Sequence, residues 1–265
     1  MEKFSIDKHA YILGRLPFSY ETTPINAECF GYVLERNGEE LLVMQSTVFP
    51  NEFPCYLPPH KKENWDHCSI VFAPQEFVNS LEAESIKIIH KEGTGTEYFY
   101  DTAHFVEPTG EMRRDVRHFS NHHDFTVTHT PSPEKIRFFH EQWKAQKERD
   151  NMCLPAGERF FSFCLENLDR FNVQQVYVTV NGELVGLALG VLHSPGKWAG
   201  LHLESLYEYK GLGRFLHHER AKLFKDAPEF TLGTEAAVEG IAHFKESLGP
   251  SKKVEYSYVL TGERK

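Results

Sequence analysis

The chain lacks any apolar run approaching the roughly 18 residues that a bilayer crossing needs. Its opening, MEKFSIDKHAYILGRL, lacks the long apolar segment of a secretory leader, so a cytoplasmic location is expected. Cysteine is scarce: Cys29, Cys55, Cys68, Cys153 and Cys164 are odd in number and have no zinc-type spacing. They are expected to be reduced thiols and not a disulfide or metal framework. Surplus positive charge is missing too. The 265 residues carry 29 Lys and Arg against 38 Asp and Glu, a net charge of −9. Nucleic acid and anionic lipid surfaces both demand a broad basic face, so this balance disfavours tRNA and membrane lipid and points to a soluble acceptor. The acidic excess lies entirely in residues 1–130, with 11 basic and 20 acidic side chains; residues 131–265 carry 18 of each. A local basic groove stays open around Arg113, Arg114, Arg117, Lys252 and Lys253.

Hydrophobic residues make up 40% of the chain and aromatics 13%, the profile of a well-packed globular protein. The length allows one large domain or two of about 130 residues, each able to bury a core. Phe30–Leu34 and Glu40–Met44 flank Asn37-Gly38, a hairpin signal, and Val176–Val180 and Leu184–Leu192 flank Asn181-Gly182, a second one. The segment PNEFPCYLPPHKKENWD reads as an exposed loop. A strand at Ser69–Phe72, a helix near Gln75–Leu81, strand material at Ile86–Ile89 and an aromatic alternating strand at Glu97–Phe105 follow. A basic helix spans Gly110–His122. Ser132 and Pro133 open a helix to Arg149, and a further helix covers Gly157–Phe171.

The stretch from Trp198 to Ser257 organises the rest. An apolar strand leads into Glu208-Tyr209-Lys210 and a Gly211-Leu212-Gly213 step that opens a helix. A strand at Glu229–Thr234, a helix at about Val238–Leu248 and a strand at Val254–Leu260 complete it. Glycines at a strand-to-helix turn let backbone N–H groups face outward, where the helix dipole favours an anion. This order resembles the C-terminal half of the GNAT acyltransferase fold, whose glycine turn cradles the pyrophosphate of coenzyme A. The usual motif there is Gln/Arg-x-x-Gly-x-Gly/Ala; here it stands as Glu208-x-x-Gly211-x-Gly213. The runs LGTEAAVEGIAHFKESLGP and KKVEYSY, with EYFYDTAHFVEPTGEMRRDVRHFSNHHDF upstream, resemble the catalytic domain of phosphatidylglycerol lysyltransferase and its tandem-GNAT relatives, and more distantly the Fem-type aminoacyltransferases. The resemblance runs from about Ile25 to Tyr258.

The resemblance implies an α/β (α+β) fold of two tandem GNAT-like domains, with mixed central sheets flanked by helices. A degenerate N-terminal copy would occupy residues 1–129, with a linker helix at about 110–123, and a C-terminal copy with the glycine turn would occupy 130–265. It implies acyl or aminoacyl transfer to an amine or hydroxyl, by direct attack on the activated carbonyl. Gly211, Leu212, Gly213 and Arg214 would hold the donor, acyl-CoA being the expected cofactor. Acyl transfer also needs a proton acceptor and a group that stabilises the developing oxyanion. Glu204, on the strand before the glycine turn, and Glu235, at the end of the next strand, are the acid–base candidates. Lys245 matches the lysine of the lysyltransferase-like and Fem-like proteins and would stabilise charge. The Asp that usually follows close after Glu235 is replaced by Ala236 and Ala237. Arg117 and Asn121, four apart on one helix face, match the family's basic helix and would bind substrate in the groove between the halves. His118, His122 and His123 have no acid or cysteine at a ligand-like distance, so no metal is expected. His217-His218 fall on two helix faces, and Cys153 and Cys164 show no partner for a nucleophile. Two other readings stand beside the first: an aminoacyl-tRNA-dependent transferase, and a GNAT-fold binding module without activity.

Overall fold

The computed structural model describes residues 2–36, 38–44, 55–58, 65–130, 132–149, 155–235 and 239–264. Asn37, Cys153, Ala236, Ala237 and most of the expected loop at 50–66 lie outside the described residues. The chain forms two compact units, residues 1–99 with 232–265, and residues 100–231. The expected division at 129/130 does not coincide with this partition. The reason is the last strand, which hydrogen-bonds on both edges to strands from the first hundred residues.

The first unit begins with β1 (Glu2–Lys3), α1 (Ile6–Leu13) and α2 (Pro24–Phe30). The hairpin β2 (Gly31–Arg36) and β3 (Glu39–Met44) follows, turning at Gly38 with φ 79°. Then come β4 (Cys55–Tyr56), β5 (Ser69–Pro74), α3 (Gln75–Ala83) and the 16-residue β6 (Ile86–Asp101). The sheet order is β1-β2-β3-β4-β5-β12-β6, with β12 (Lys252–Arg264) antiparallel to both neighbours. Helices cover both faces, so β3 buries four consecutive residues. Leu41 and Val43 join Tyr56, Trp65, Ile70 and Phe77 in one core cluster, while Leu42 and Met44 join Phe4, Ile12, Leu13 and Leu16 in another.

The second unit holds α4 (Thr102–Val106), α5 (Gly110–His122), β7 (Phe125–Thr128), α6 (Pro133–Arg149) and α7 (Pro155–Glu166). They are followed by β8 (Gln174–Val180), β9 (Glu183–Ser194), β10 (Lys197–Ser205), α8 (Leu212–Leu223) and the start of β11 (Glu229–Thr234). The expected strand through Phe105 ends early, because Asp101 caps α4 by accepting the Ala103 N–H at 3.1 Å. Strands β7 to β10 pair antiparallel in chain order. β10 and β11 are parallel from Lys197–Glu229 to Ala199–Thr231, after which β10 runs on to Ser205 paired with β9. Helix α8 packs on one sheet face through Leu212, Leu216 and Phe224, and α6 and α7 meet the side chains of β10 on the other. The remaining helix, α9 (Glu239–Ser247), returns to the first unit.

Trp198 sets the centre of the second unit. It is fully buried, stacks on Phe230 at 4.1 Å and Phe224 at 4.5 Å, and donates its indole N–H to Thr102 Oγ1 at 3.0 Å. Truncating such a ring removes its transfer energy and leaves a cavity. Trp198→Ala should cost about 3–5 kcal/mol, read as a lowered urea midpoint. A shift below a third of that would show that the ring does not organise this core.

Candidate functional site

Buried titratable side chains cluster in each unit. On β10, residues two apart share a face, so His202 and Glu204 point to the same side. Helix α6 brings His140 over them. Glu204 is 0% exposed, and its Oε1 takes hydrogen bonds from His140 Nδ1 at 2.7 Å and His202 Nε2 at 2.8 Å. Its Oε2 is buried and has no hydrogen-bond partner among the described residues. Burial alone would raise the carboxyl's pKa, but the two imidazole hydrogen bonds outweigh it and hold the group below its usual range. Phe161 from α7 stacks on His202 at 4.5 Å and tilts against His140 at 4.7 Å, and Trp143 lies 6.0 Å from both rings. The site is therefore a carboxylate holding two imidazoles against an aromatic wall. Gln146 completes the strand end by donating to Ser205 O at 3.1 Å and accepting from Tyr207 N at 2.8 Å.

The glycine turn lies on α8. Gly211 caps that helix in the left-handed region, φ 87°, and a Cβ there would sit 2.3 Å from the Asp115 carbonyl oxygen of α5. This backbone approach requires glycine whatever binds nearby. Leu212 is fully buried, so it packs in the core. Gly213 is open by comparison, its nearest neighbour being Ser205 Oγ at 3.7 Å. Arg214 forms ion pairs with Asp115 and, at 3.2 Å, with Glu111, which ties α5 to the turn. Arg117 and Asn121 lie on the exposed face of α5, while Met112, Val116 and Phe119 form its buried face. On the same helix His118 stacks on His122 at 4.2 Å. No group of three or more His, Cys, Asp or Glu among the described residues is placed to hold a metal ion. Cys164 is buried.

The second cluster belongs to the first unit. Lys245 of α9 is 8% exposed, and its ammonium donates to the carbonyl oxygens of Leu232 at 2.7 Å, Gly233 at 2.9 Å and Thr234 at 2.7 Å. A lysine has three N–H donors, so all are engaged by the end of β11. Burial pulls its pKa down to about 8, against the opposing charges of Glu235, Glu97 and Glu21. Glu235 accepts the Thr96 N–H on both oxygens, at 3.0 and 2.9 Å. Glu97 is 0% exposed and takes the Tyr20 N–H at 2.6 Å and the Tyr256 hydroxyl at 2.9 Å. Glu21 accepts from Asn26 Nδ2 at 2.6 Å; burial, with the Glu97 charge, pushes it up to about 7 although Asn26 and Lys245 pull it down. Lys252 lies over the Phe99 ring at 5.4 Å, and Lys253 pairs with Glu246 at 2.8 Å.

Of the residues singled out in the sequence, Lys245 and Glu235 thus share one cluster, Glu204 anchors another, and Arg117 and Asn121 join neither. His140, His202, Phe161, Glu21, Glu97 and Tyr256 were not anticipated as site residues. The His202-x-Glu204 pair on one strand face was a readable signal. His140 was not, because nothing local says which strand an α6 residue will meet.

Stability should follow these pKa shifts. Glu21 is raised, so between about 4.5 and 7 the folded chain keeps a proton that the unfolded chain has lost, and stability falls as pH rises. Lys245 is depressed, so from about 8 to 10.5 the unfolded chain binds more protons and stability recovers with pH. In urea titrations across this range, the difference between wild type and Glu21→Gln should fall through the acid window. The difference from Lys245→Met should rise through the basic one. Flat differences would refute both assignments.

No protein-family model matches the chain, and no curated protein matches it. Solved structures do. A conserved protein of unknown function from Bacteroides thetaiotaomicron superposes with TM-score 0.79 at 14% identity, covering 98% of each chain. The C-terminal domain of a protein assigned as a lysylphosphatidylglycerol synthetase from Agrobacterium fabrum gives 0.65 at 10% identity, over 96% of this chain and 91% of that one. FemX gives 0.63 at 12% identity, over 97% and 96%. A tandem GNAT protein from the clavulanic acid biosynthesis pathway matches more loosely, at 0.50 and 8% identity, over 100% and 98%. Identities this low speak to architecture alone. Together they establish that the chain has the mixed α/β fold of GNAT-type proteins, the fold shared by the lysylphosphatidylglycerol synthetase domain and FemX.

Proposed function

We propose that the chain is an acyl- or aminoacyl-transferase that moves an activated acyl group to an amine or hydroxyl of a soluble acceptor. The observation that carries this reading is the buried Glu204 with its two histidines at the end of β10, on a fold shared with a lysylphosphatidylglycerol synthetase domain and FemX. A buried, hydrogen-bonded carboxylate–imidazole group in a transferase fold is suited to taking a proton from an attacking nucleophile. The nucleophile would attack the donor carbonyl directly, its new bond to carbon forming as the bond to the leaving thiol or alcohol breaks. Gly211, Leu212, Gly213 and Arg214 remain the donor region in this proposal, Leu212 acting from the core by fixing the start of α8. Arg117 and Asn121 present an exposed polar face to the acceptor. Lys245 and Glu235 are the proposed electrostatic group of the other unit: a cation held among carboxylates, able to bias charge without giving up its carbonyl contacts.

A second reading has support at the glycine turn. Asp115 and Glu111 sit against Arg214 there, so the positive charge that would meet a pyrophosphate is already matched by carboxylates. That favours a donor other than a coenzyme A thioester, as in the aminoacyl-tRNA-dependent alternative, although the net charge of −9 gives tRNA no broad basic face. Calorimetric titration with acetyl-CoA and with free CoA decides between them. Saturable micromolar binding that Gly213→Glu abolishes would establish the thioester donor; Gly213 is the right position because a Cβ there meets only Ser205 Oγ, at 3.7 Å. Absence of binding, together with transfer from charged tRNA, would establish the alternative. Absence of both would leave a binding module and refute the transferase reading.

A further inference from the structure

Helix α5 ends in a pair of histidines with no carboxylate to hold them. His90, His140, His202 and His218 each lie 3.8 Å or less from a glutamate oxygen. Among the described residues, neither His118 nor His122 forms such an ion pair. They meet each other instead: one helical turn apart, their rings stack at 4.2 Å with an interplanar angle of 27°. His122 Nδ1 lies 2.7 Å from the His118 carbonyl oxygen. A carbonyl only accepts, so Nδ1 carries a hydrogen whatever the charge of the ring, and Nε2 is the nitrogen that can give up its proton. His118 is half-buried and His122 is exposed. Desolvation, with the charges of His122, Lys210 and His123, holds the His118 ring below its usual pKa against the pull of Asp115.

We propose that His118 and His122 form a two-imidazole chelate for a divalent first-row transition ion, with Cu²⁺ bound more tightly than Ni²⁺ or Zn²⁺. The lack of a neighbouring acid or cysteine ligand excludes a closed site made wholly of protein groups. It leaves a two-ligand site whose other positions water fills. Residues four apart on a helix present their rings to one ion, as paired histidines do in helical metal motifs. Metal-bound imidazoles characteristically donate their second N–H to a carbonyl or carboxylate, which fixes ring and tautomer; His122 already makes that bond within the helix. The ion must displace a proton from each ring, and the lowered pKa of His118 weakens that competition. Imidazole also selects the class of ion. Mg²⁺ and Ca²⁺ need oxygen ligands, and the neighbouring carboxylate, Asp115, is engaged by Arg214 and, at 3.6 Å, by Arg114. Lys210 repels a cation held by charge alone. His123 packs against Phe119 at 5.1 Å and Tyr209 at 5.2 Å, and is not part of the chelate. The site is separate from the two buried clusters and does not depend on the transferase reading.

The test is calorimetric titration of the untagged full chain with CuCl₂, NiCl₂ and ZnCl₂, with MgCl₂ as the control. Cu²⁺ should bind saturably and most tightly, and Mg²⁺ should not bind. His118→Asn and His122→Asn should each weaken Cu²⁺ binding about a hundredfold, the upper end of the range for losing a group that only supports a ligand. His123→Asn should leave it unchanged. Both chelating rings lie off the buried face of α5 formed by Met112, Val116 and Phe119, so these variants keep the fold. In nitrogen spectra of 15N-histidine-labelled chain, Zn²⁺ should move His122 Nε2 and leave Nδ1 protonated. Acidification should weaken binding, because protons compete for the same nitrogens. No binding, binding that survives both single changes, or equal binding of Mg²⁺ would overturn the proposal. Loss of the Nδ1 hydrogen of His122 on Zn²⁺ binding would overturn it too.

Discussion

A carboxylate can be buried in a sheet only where donors replace the water it gives up, and Glu204 is such a case. Its neighbours on β10 offer one donor, His202; the second, His140, comes from a helix more than sixty residues earlier in the chain. The packing of α6 against β10 is thus fixed by a polar requirement as well as an apolar one. Gln146, two turns farther along α6, makes the same point at the strand's end by bonding Ser205 and Tyr207 through its amide. Phe161 then seals the imidazoles from the α7 side.

Lys245 shows the opposite solution to the same problem. Its charge is buried among carboxylates, yet its three hydrogens go to main-chain carbonyls at the end of β11. Such a lysine fixes backbone first and supplies field second. Glu235, which follows that strand end, is placed by Thr96 and not by the lysine's hydrogens. The pair therefore interacts through charge over distance, where the Glu204 cluster is held together by direct bonds.

Much of the fold was legible because periodicity and turn chemistry are local. The hairpins turning at Gly38 and at Asn181-Gly182, the helices at Gly110–His122 and Pro133–Arg149, and the strand–glycine–helix order after Trp198 all carry their signals within a dozen residues. Two short helices, α1 and α2, were missed because the first half was read for strands, although Thr23-Pro24 is a helix start. The place of β12 was not legible at all. Its alternation marks a strand, but nothing in it says that β5 and β6 will flank it. The same limit governed the site: Glu204, Glu235 and Lys245 could be picked out one by one, while His140, Glu97 and Glu21 acquire meaning only from partners that are distant in sequence.

The glycine turn brings these strands of argument together. A Gly-x-Gly step before a helix reads as an anion site, yet Gly211 has a sufficient reason in the Asp115 carbonyl that no side chain could tolerate. Arg214, the cation beside that step, meets Asp115 and Glu111 instead of a phosphate. Helix α5 therefore stands where a phosphate-bearing donor would draw its charge, and any such donor must compete with two carboxylates for one guanidinium. In the His140–Glu204–His202 group the carboxylate is bound by two ring nitrogens instead. Its two imidazoles are held by a carboxylate that packing has buried, so the group is ordered from within its own unit.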